Sequence, residues 1–205
     1  KGVINQSRTD LSNEKKFFIS KRKINSLEEA MVNSDVFIGL SMANILTEKM
    51  LASMSKDPIV FAMANPDPEI NYDIAMSVRD DIIFATGRSD LPNQVNNVLG
   101  FPFIFRGALD VRATKINEEM KKAAVVALAE LAKKPVPEQV NIAYDETKLL
   151  FGKDYIIPKP FDPRLISEIP PAVARAAMES GVAQEPITDW DKYTQILEER
   201  LGNNQ

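Results

Sequence analysis

The chain alternates short, nearly continuous apolar runs with segments whose apolar positions recur at helical spacing. Asp35–Leu40 (DVFIGL), Pro58–Met63 (PIVFAM) and Asp81–Thr86 (DIIFAT) have the pattern of buried strands. Gly2-Val3-Ile4 reads as the end of another strand. Helices are expected at Asp10–Arg22, Ser26–Val32, Thr47–Ser55 and Tyr72–Val78. Ser26 is placed as an N-cap, followed by Glu28 and Glu29 where the helix dipole favours carboxylates. Strands alternating with helices predict an α/β fold with a doubly wound parallel sheet covered on both faces. In such sheets ligands sit beyond the carboxyl ends of the strands. Those positions are Ser41–Asn44, Ala64–Pro68 and Gly87–Asn97.

The second half of the pattern is helical. Thr114 is expected to cap a long helix in which Ile116, Met120, Ala123, Ala124, Ala127, Leu128 and Leu131 form one stripe. Lys133 and Lys134 close it, and Pro135 stops it. Further helices are expected at Pro137–Tyr144 and Pro171–Ser180, the latter with Pro171 at its start and Gly181 just past its end. A last one, Asp189–Leu201, carries Trp190, Tyr193, Leu197 and Leu201 on one stripe. The change of character falls at residues 134 and 135.

Composition narrows the chemistry. There is no cysteine, so disulfides, thiolate metal sites and Cys nucleophiles are excluded. There is no histidine either, which removes a His base, a His metal ligand and any Ser-His-Asp triad. Acid–base chemistry would fall to Lys, Tyr, Asp or Glu. The net charge of −4 gives no general attraction to nucleic acid or to a membrane surface. The basic run Lys21-Arg22-Lys23 reads as a solvated helix end. No apolar stretch approaches the ~20 residues of a membrane-spanning helix, and the polar start has no signal-peptide pattern. A cytoplasmic protein is expected. The first residue is Lys rather than Met, as expected of a piece of a longer sequence.

The most particular stretch is Gly87–Thr114, GRSDLPNQVNNVLGFPFIFRGALDVRAT. Asn93, Gln94, Asn96 and Asn97 crowd its centre. Asn side chains compete with the backbone for hydrogen bonds and favour caps and turns. Amides also suit a loop that must donate to and accept from a small polar ligand. Asn65 precedes Pro66, which restricts it to extended conformations and fixes the direction of its amide. Taken alone, Asn65 reads as a turn cap, and Asn96-Asn97 as a helix cap or a satisfied buried turn. Arg88 fits a carboxylate or phosphate, or a structural pair with Asp90 or Asp110. Lys159, Asp162 and Arg164 in the Pro-rich segment Tyr155–Leu165 (YIIPKPFDPRL) read as structural ion pairs.

Gly87–Thr114, together with FAMANPDPEI at Phe61–Ile70 and YIIPKPFDPRL, closely resembles the malic enzymes of bacterial type, over nearly the whole chain. The resemblance implies a partial doubly wound, Rossmann-like NAD(P)-binding domain over residues 1–134. A C-terminal helical extension, residues 135–205, would pack on it. It implies oxidative decarboxylation of (S)-malate to pyruvate with NAD or NADP in the complete enzyme. The site residues it implies are Ser41 and Asn65 at the cofactor, and Asn96 and Asn97 at the substrate. The choice between those last two stays open, with Asn97 preferred. After Ser41 the sequence Met42-Ala43-Asn44 departs from the Pro or Gly usual in the family.

There is no GxGxxG motif, and the family's Tyr acid, Lys base and acidic ligands for Mg²⁺ or Mn²⁺ would all precede Lys1. The chain alone is therefore expected to be inactive. The resemblance also implies a homo-oligomer, and in some bacterial members a further phosphate-acetyltransferase-like domain. The alternative is a non-catalytic remnant or an interaction module; an amino-acid dehydrogenase is disfavoured by the Asn65-Pro66 and Asn96-Asn97 combination.

Overall fold

The structure, a computed structural model, describes residues 3–146 and 148–202. Gly2 and the side chain of Leu201, both part of expected apolar patterns, lie outside the described residues. The chain forms two compact units, Lys1–Gly87 and Arg88–Gln205.

The first unit contains α1 (Asn13–Lys16), α2 (Leu27–Met31), β1 (Val36–Gly39), α3 (Glu48–Ala52), β2 (Ile59–Ala62), α4 (Tyr72–Val78) and β3 (Ile83–Thr86). The three strands form a parallel sheet in the order β1-β2-β3. Its register aligns Phe37 with Val60 and Phe84, so one apolar row faces the helices. Met31 of α2, Leu51 of α3 and Ala75 of α4 close over that row. Each of the three helices begins at a polar cap whose side chain accepts a backbone N–H: Ser26 from Glu29, Thr47 from Met50, and Asn71 from Asp73. The opposite face is apolar too, but on β1 it is exposed: Val36 is 49% and Ile38 61% accessible. Of the two-sided cover expected from the sequence, β1 shows one side.

The expected helix Asp10–Arg22 shrinks to the single turn of α1. Phe17 and Phe18 are adjacent and exposed, and α1 buries none of its residues. A helix this short is not stable without an apolar face to bury. The expected strand stub is reduced to one parallel bridge between Asn5 and Ser20.

The second unit holds a 3-10 turn at Asn97–Leu99, then α5 (Phe103–Asp110), α6 (Glu118–Lys133), α7 (Glu138–Ala143), α8 (Leu165–Glu179) and α9 (Trp190–Gly202). Helix α8 packs against α5, α6 and α9. Helix α5 has no counterpart among the expected helices: Phe105 and Leu109 are exposed, while Phe103 and Ile104 are only partly buried against the core. Its buried side is small, Gly107 and Ala108. A Cβ on Gly107 would lie 2.4 Å from the Pro170 carbonyl oxygen and 2.9 Å from Val173 Cβ. Glycine is what allows α5 and α8 to approach this closely.

Two expected boundaries move. Asn117, not Thr114, caps α6, accepting from Met120 N–H at 3.0 Å. Thr114 instead donates its N–H to Val182 O at 2.9 Å. Asn is the stronger cap of the two. Helix α8 starts at Leu165 and runs through Pro170 and Pro171. Leu165, Ile169, Val173 and Ala177 share one stripe and are fully buried. Burying the extra Leu and Ile, about 1.5–3 kcal/mol each, weighs against the about 3 kcal/mol of an interior proline.

The Pro-rich connector carries the expected pair Asp162–Arg164, with Arg164 also donating to Pro135 O at 2.8 Å. Lys159 is a correction. Among the described residues it forms no salt bridge with a carboxylate, and it lies over the Tyr144 ring, 4.8 Å from its centroid. Its side chain is nearly buried, and loss of hydration lowers its pKa from the usual lysine range, against a smaller opposite pull from Glu146.

Two outcomes are expected in urea unfolding of the 205-residue chain. Gly107→Ala should lower the unfolding free energy by about 1–3 kcal/mol through overpacking against α8. Lys159 binds its proton less tightly when folded than when unfolded. Its contribution to stability should therefore rise with pH above the folded pKa and level off above the unfolded one. Lys159→Met should lack that rise, so the gap between variant and parent should change as pH rises toward the ordinary lysine value of about 10.5. An identical pH slope in both would refute it.

Candidate functional site

Because β1, β2 and β3 are parallel and in register, their carboxyl ends lie side by side at one edge of the sheet. The loops leaving β1 and β2 carry Ser41 and Asn65. They are stitched together along their length: Met63 N–H donates to Gly39 O (3.1 Å), Asn44 N–H to Pro68 O (3.1 Å) and Leu46 N–H to Glu69 O (3.0 Å). Asn44 takes the left-handed conformation, φ 59°. Among residues with a Cβ, asparagine tolerates that region well, so it makes the turn that Pro or Gly would make elsewhere.

Between the two loops lies Glu69, fully buried. Its Oε1 accepts the Ser41 N–H at 3.1 Å and its Oε2 accepts the Ala64 N–H at 3.0 Å. The carboxylate lies against Gly39, where a Cβ would fall 2.3 Å from Glu69 Cδ. Glu69 lies in the segment Phe61–Ile70, where no sequence pattern marks it for a role. Its neighbours Asp67, Pro66 and Pro68 read as an exposed turn, and only the absence of a side chain at Gly39 makes room for a buried carboxylate.

Ser41 and Asn65 are exposed, and neither side chain has a hydrogen-bond partner among the described residues. Both polar groups are available to a ligand. Nearby, a cleft of about 370 Å³ opens beside Asn44, Thr47, Ile70 and Asn71.

The amide run lies in the second unit, and its members have separate tasks. Asn93 is buried with φ 51°; it donates to Lys153 O at 2.7 Å and accepts from Ile156 N–H at 2.8 Å. It anchors the loop to the 153–156 segment. Asn96 caps the 3-10 turn, accepting from Val98 N–H at 3.1 Å. Asn97 is exposed, and its amide has no partner among the described residues. Asn96 and Asn97 border a groove of about 460 Å³ whose other walls include Leu99, Val125, Leu128 and Ile156. Polar groups at one end of an apolar groove can orient a small ligand. Arg88 pairs with Asp90 at 2.6 Å, the structural alternative expected for it. The four candidates thus divide two and two between the units.

Among the described residues no group of three or more acidic side chains is placed to hold a metal ion. No helix among them is long and apolar enough to cross a membrane.

Comparisons with known proteins identify the family. The family model for the malic enzyme NAD binding domain matches residues 1–146. The probable NADP-dependent malic enzyme of Rickettsia prowazekii is 57% identical over 203 residues, covering 98% of this chain and 26% of the relative. The NADP-dependent malic enzyme of Halomonas elongata is 56% identical over 186 residues, covering 91% and 44%. An NAD-dependent malic enzyme of Rhizobium meliloti is 50% identical over 197 residues, covering 96% and 26%. The crystal structure of Entamoeba histolytica malic enzyme matches with a TM-score of 0.84 and 34% identity, covering 98% of this chain and 40% of that one. The chain therefore spans between a quarter and a half of the relatives it matches. With a sheet whose strand ends carry free polar side chains, and a family match over most of its length, the chain belongs to the malic enzymes, through the NAD-binding domain of that family.

Proposed function

We propose that this chain is the C-terminal portion of a malic enzyme, where it forms the nicotinamide-side wall of the site and supplies amide contacts to malate. The complete enzyme oxidises (S)-malate at C2 and releases CO₂ to give pyruvate. The observation that carries the reading is the pair of free polar side chains, Ser41 and Asn65, on adjoining loops at the strand ends of a chain that belongs to this family.

Ser41 and Asn65 fit a dinucleotide: both side chains are exposed and uncommitted, and both loops are held from beneath by backbone hydrogen bonds. NAD or NADP, when bound, supplies the hydride acceptor. The Asn65 amide can donate to a carboxamide oxygen and accept from an N–H or hydroxyl, which orients the ring. Asn97, with its amide free, is the better substrate contact, while the Asn96 oxygen is occupied by its cap. Holding both ligands so that C2 faces the ring converts binding into orientation. The described residues do not fit Mg²⁺ or Mn²⁺, so no step is assigned to a metal on this chain.

In this reading residues 1–134 form the partial NAD(P)-binding domain, and residues 135–205 the helical extension. Helix α8 of the extension packs on α5 and α6, which supports that pairing. The enzyme is a cytoplasmic homo-oligomer with no nucleic-acid partner. A relative of which this chain is 26% has room for a further phosphate-acetyltransferase-like domain.

Two measurements test the assignment. The isolated chain should produce no NAD(P)H from malate. In the complete enzyme, Asn65→Ala and Asn97→Ala should each lower kcat/KM for malate by about 10-fold or more, as expected when a positioning contact is lost. Unchanged kcat/KM in both variants would remove these residues from the site.

A further inference from the structure

We propose that Glu69 is a positioning residue of the cofactor site, a buried carboxylate that clamps together the two loops carrying Ser41 and Asn65. The inference rests on the reading of those two residues as cofactor contacts and adds a residue that touches neither ligand.

The surroundings of Glu69 are electrostatically unusual. Glu69 is fully buried, and among the described residues no Lys or Arg forms a salt bridge with it. A buried carboxylate without a cation is unfavourable unless hydrogen bonds stabilise it, and a packed apolar side chain would fill the same space without that burden. The two bonds Glu69 accepts come from different loops. One is from Ser41, the first predicted cofactor residue, and the other is from Ala64, immediately before the second. One rigid carboxylate group therefore fixes the separation of the two loop backbones at the positions from which the ligand-facing side chains project.

Two further contacts make the clamp a local unit. The backbone carbonyl of Glu69 accepts from Leu46, so the residue holds the β1 loop at both its beginning and its end. Its side chain lies over Gly39, the last residue of β1, with no space for a methyl group between them.

The test uses the complete enzyme containing this chain. Glu69→Gln keeps size and shape but replaces one acceptor oxygen with an NH₂ that confronts a backbone N–H, so one of the two ties is lost. Gly39→Ala leaves Glu69 in place but pushes its carboxylate aside. Both variants should raise KM for NAD(P)⁺ at least tenfold, with thermal midpoints within a few degrees of the parent. Hydrogen exchange should show faster exchange in the peptides containing Ser41 and Ala64 and unchanged exchange in α6 and α8. Ser41→Ala and Asn65→Ala serve as the reference for the underlying reading.

If the reference variants raise KM for the cofactor while Glu69→Gln changes only the thermal midpoint, Glu69 is a structural group and the clamp is refuted. If Ser41→Ala and Asn65→Ala leave the kinetics unchanged, the cofactor reading fails and the positioning role fails with it. Should Glu69→Gln not fold, Gly39→Ala decides: unchanged exchange at Ser41 and Ala64, with unchanged cofactor KM, overturns the proposal.

Discussion

The parallel register of three short strands is the constraint on which the first unit depends. Matching Phe37, Val60 and Phe84 across the sheet sets one apolar row against α2, α3 and α4. The same register brings all three carboxyl ends to one edge, since parallel strands point the same way. Had β1 and β2 been antiparallel, their loops would have left from opposite edges. Ser41 and Asn65 could not then share a buried carboxylate. The chemistry of the strand ends follows from the direction of the strands, before any particular side chain is considered.

The second unit rests on a different device. Helix α8 supplies a fully buried stripe, Leu165, Ile169, Val173 and Ala177, and its neighbours adapt to it. Gly107 lets α5 approach; Asn117 starts α6 and also bonds Ser180 at 2.8 Å, joining the start of one helix to the end of another. Asp110 of α5 accepts from Arg106 and from the Tyr193 hydroxyl of α9, at 2.7 Å for the latter. Burial first, and then the bond to Asp110, raise the Tyr193 pKa above the usual tyrosine range. The amide loop is anchored to this frame through Asn93, which leaves Asn97 exposed on a supported turn.

Much of this was legible in the sequence, but unevenly. The three strands were readable as compact apolar runs, and α4 matched its expected limits, Tyr72–Val78. The Ser26 cap was readable because a cap acts over three or four residues. The expected α1 region misled because its apolar residues have no helical stripe. Helix α5 was hidden because its apolar residues divide, Phe103 and Ile104 partly buried and Phe105 and Leu109 exposed, and its fully buried residues are a glycine and an alanine. The start of α8 was misplaced because proline is a strong local stop signal, and only the packing of Leu165 and Ile169 against neighbouring helices overrides it.

The sequence by itself determined the alternation of strands and helices, the absence of His and Cys chemistry, and the motifs that place the chain among the malic enzymes. These are carried by residue type and short-range order. Tertiary structure alone decided which polar groups are spent and which are free. Asn93 and Asn96 are committed to the backbone while Asn97 is not, though all three look alike in the sequence. Glu69 reads as one more acid in a polar turn. It becomes a buried clamp only because folding brings Ser41, 28 positions away, to one oxygen and leaves Gly39 without a side chain beneath it. A carboxylate's surroundings depend on distant residues, and no local pattern carries that information.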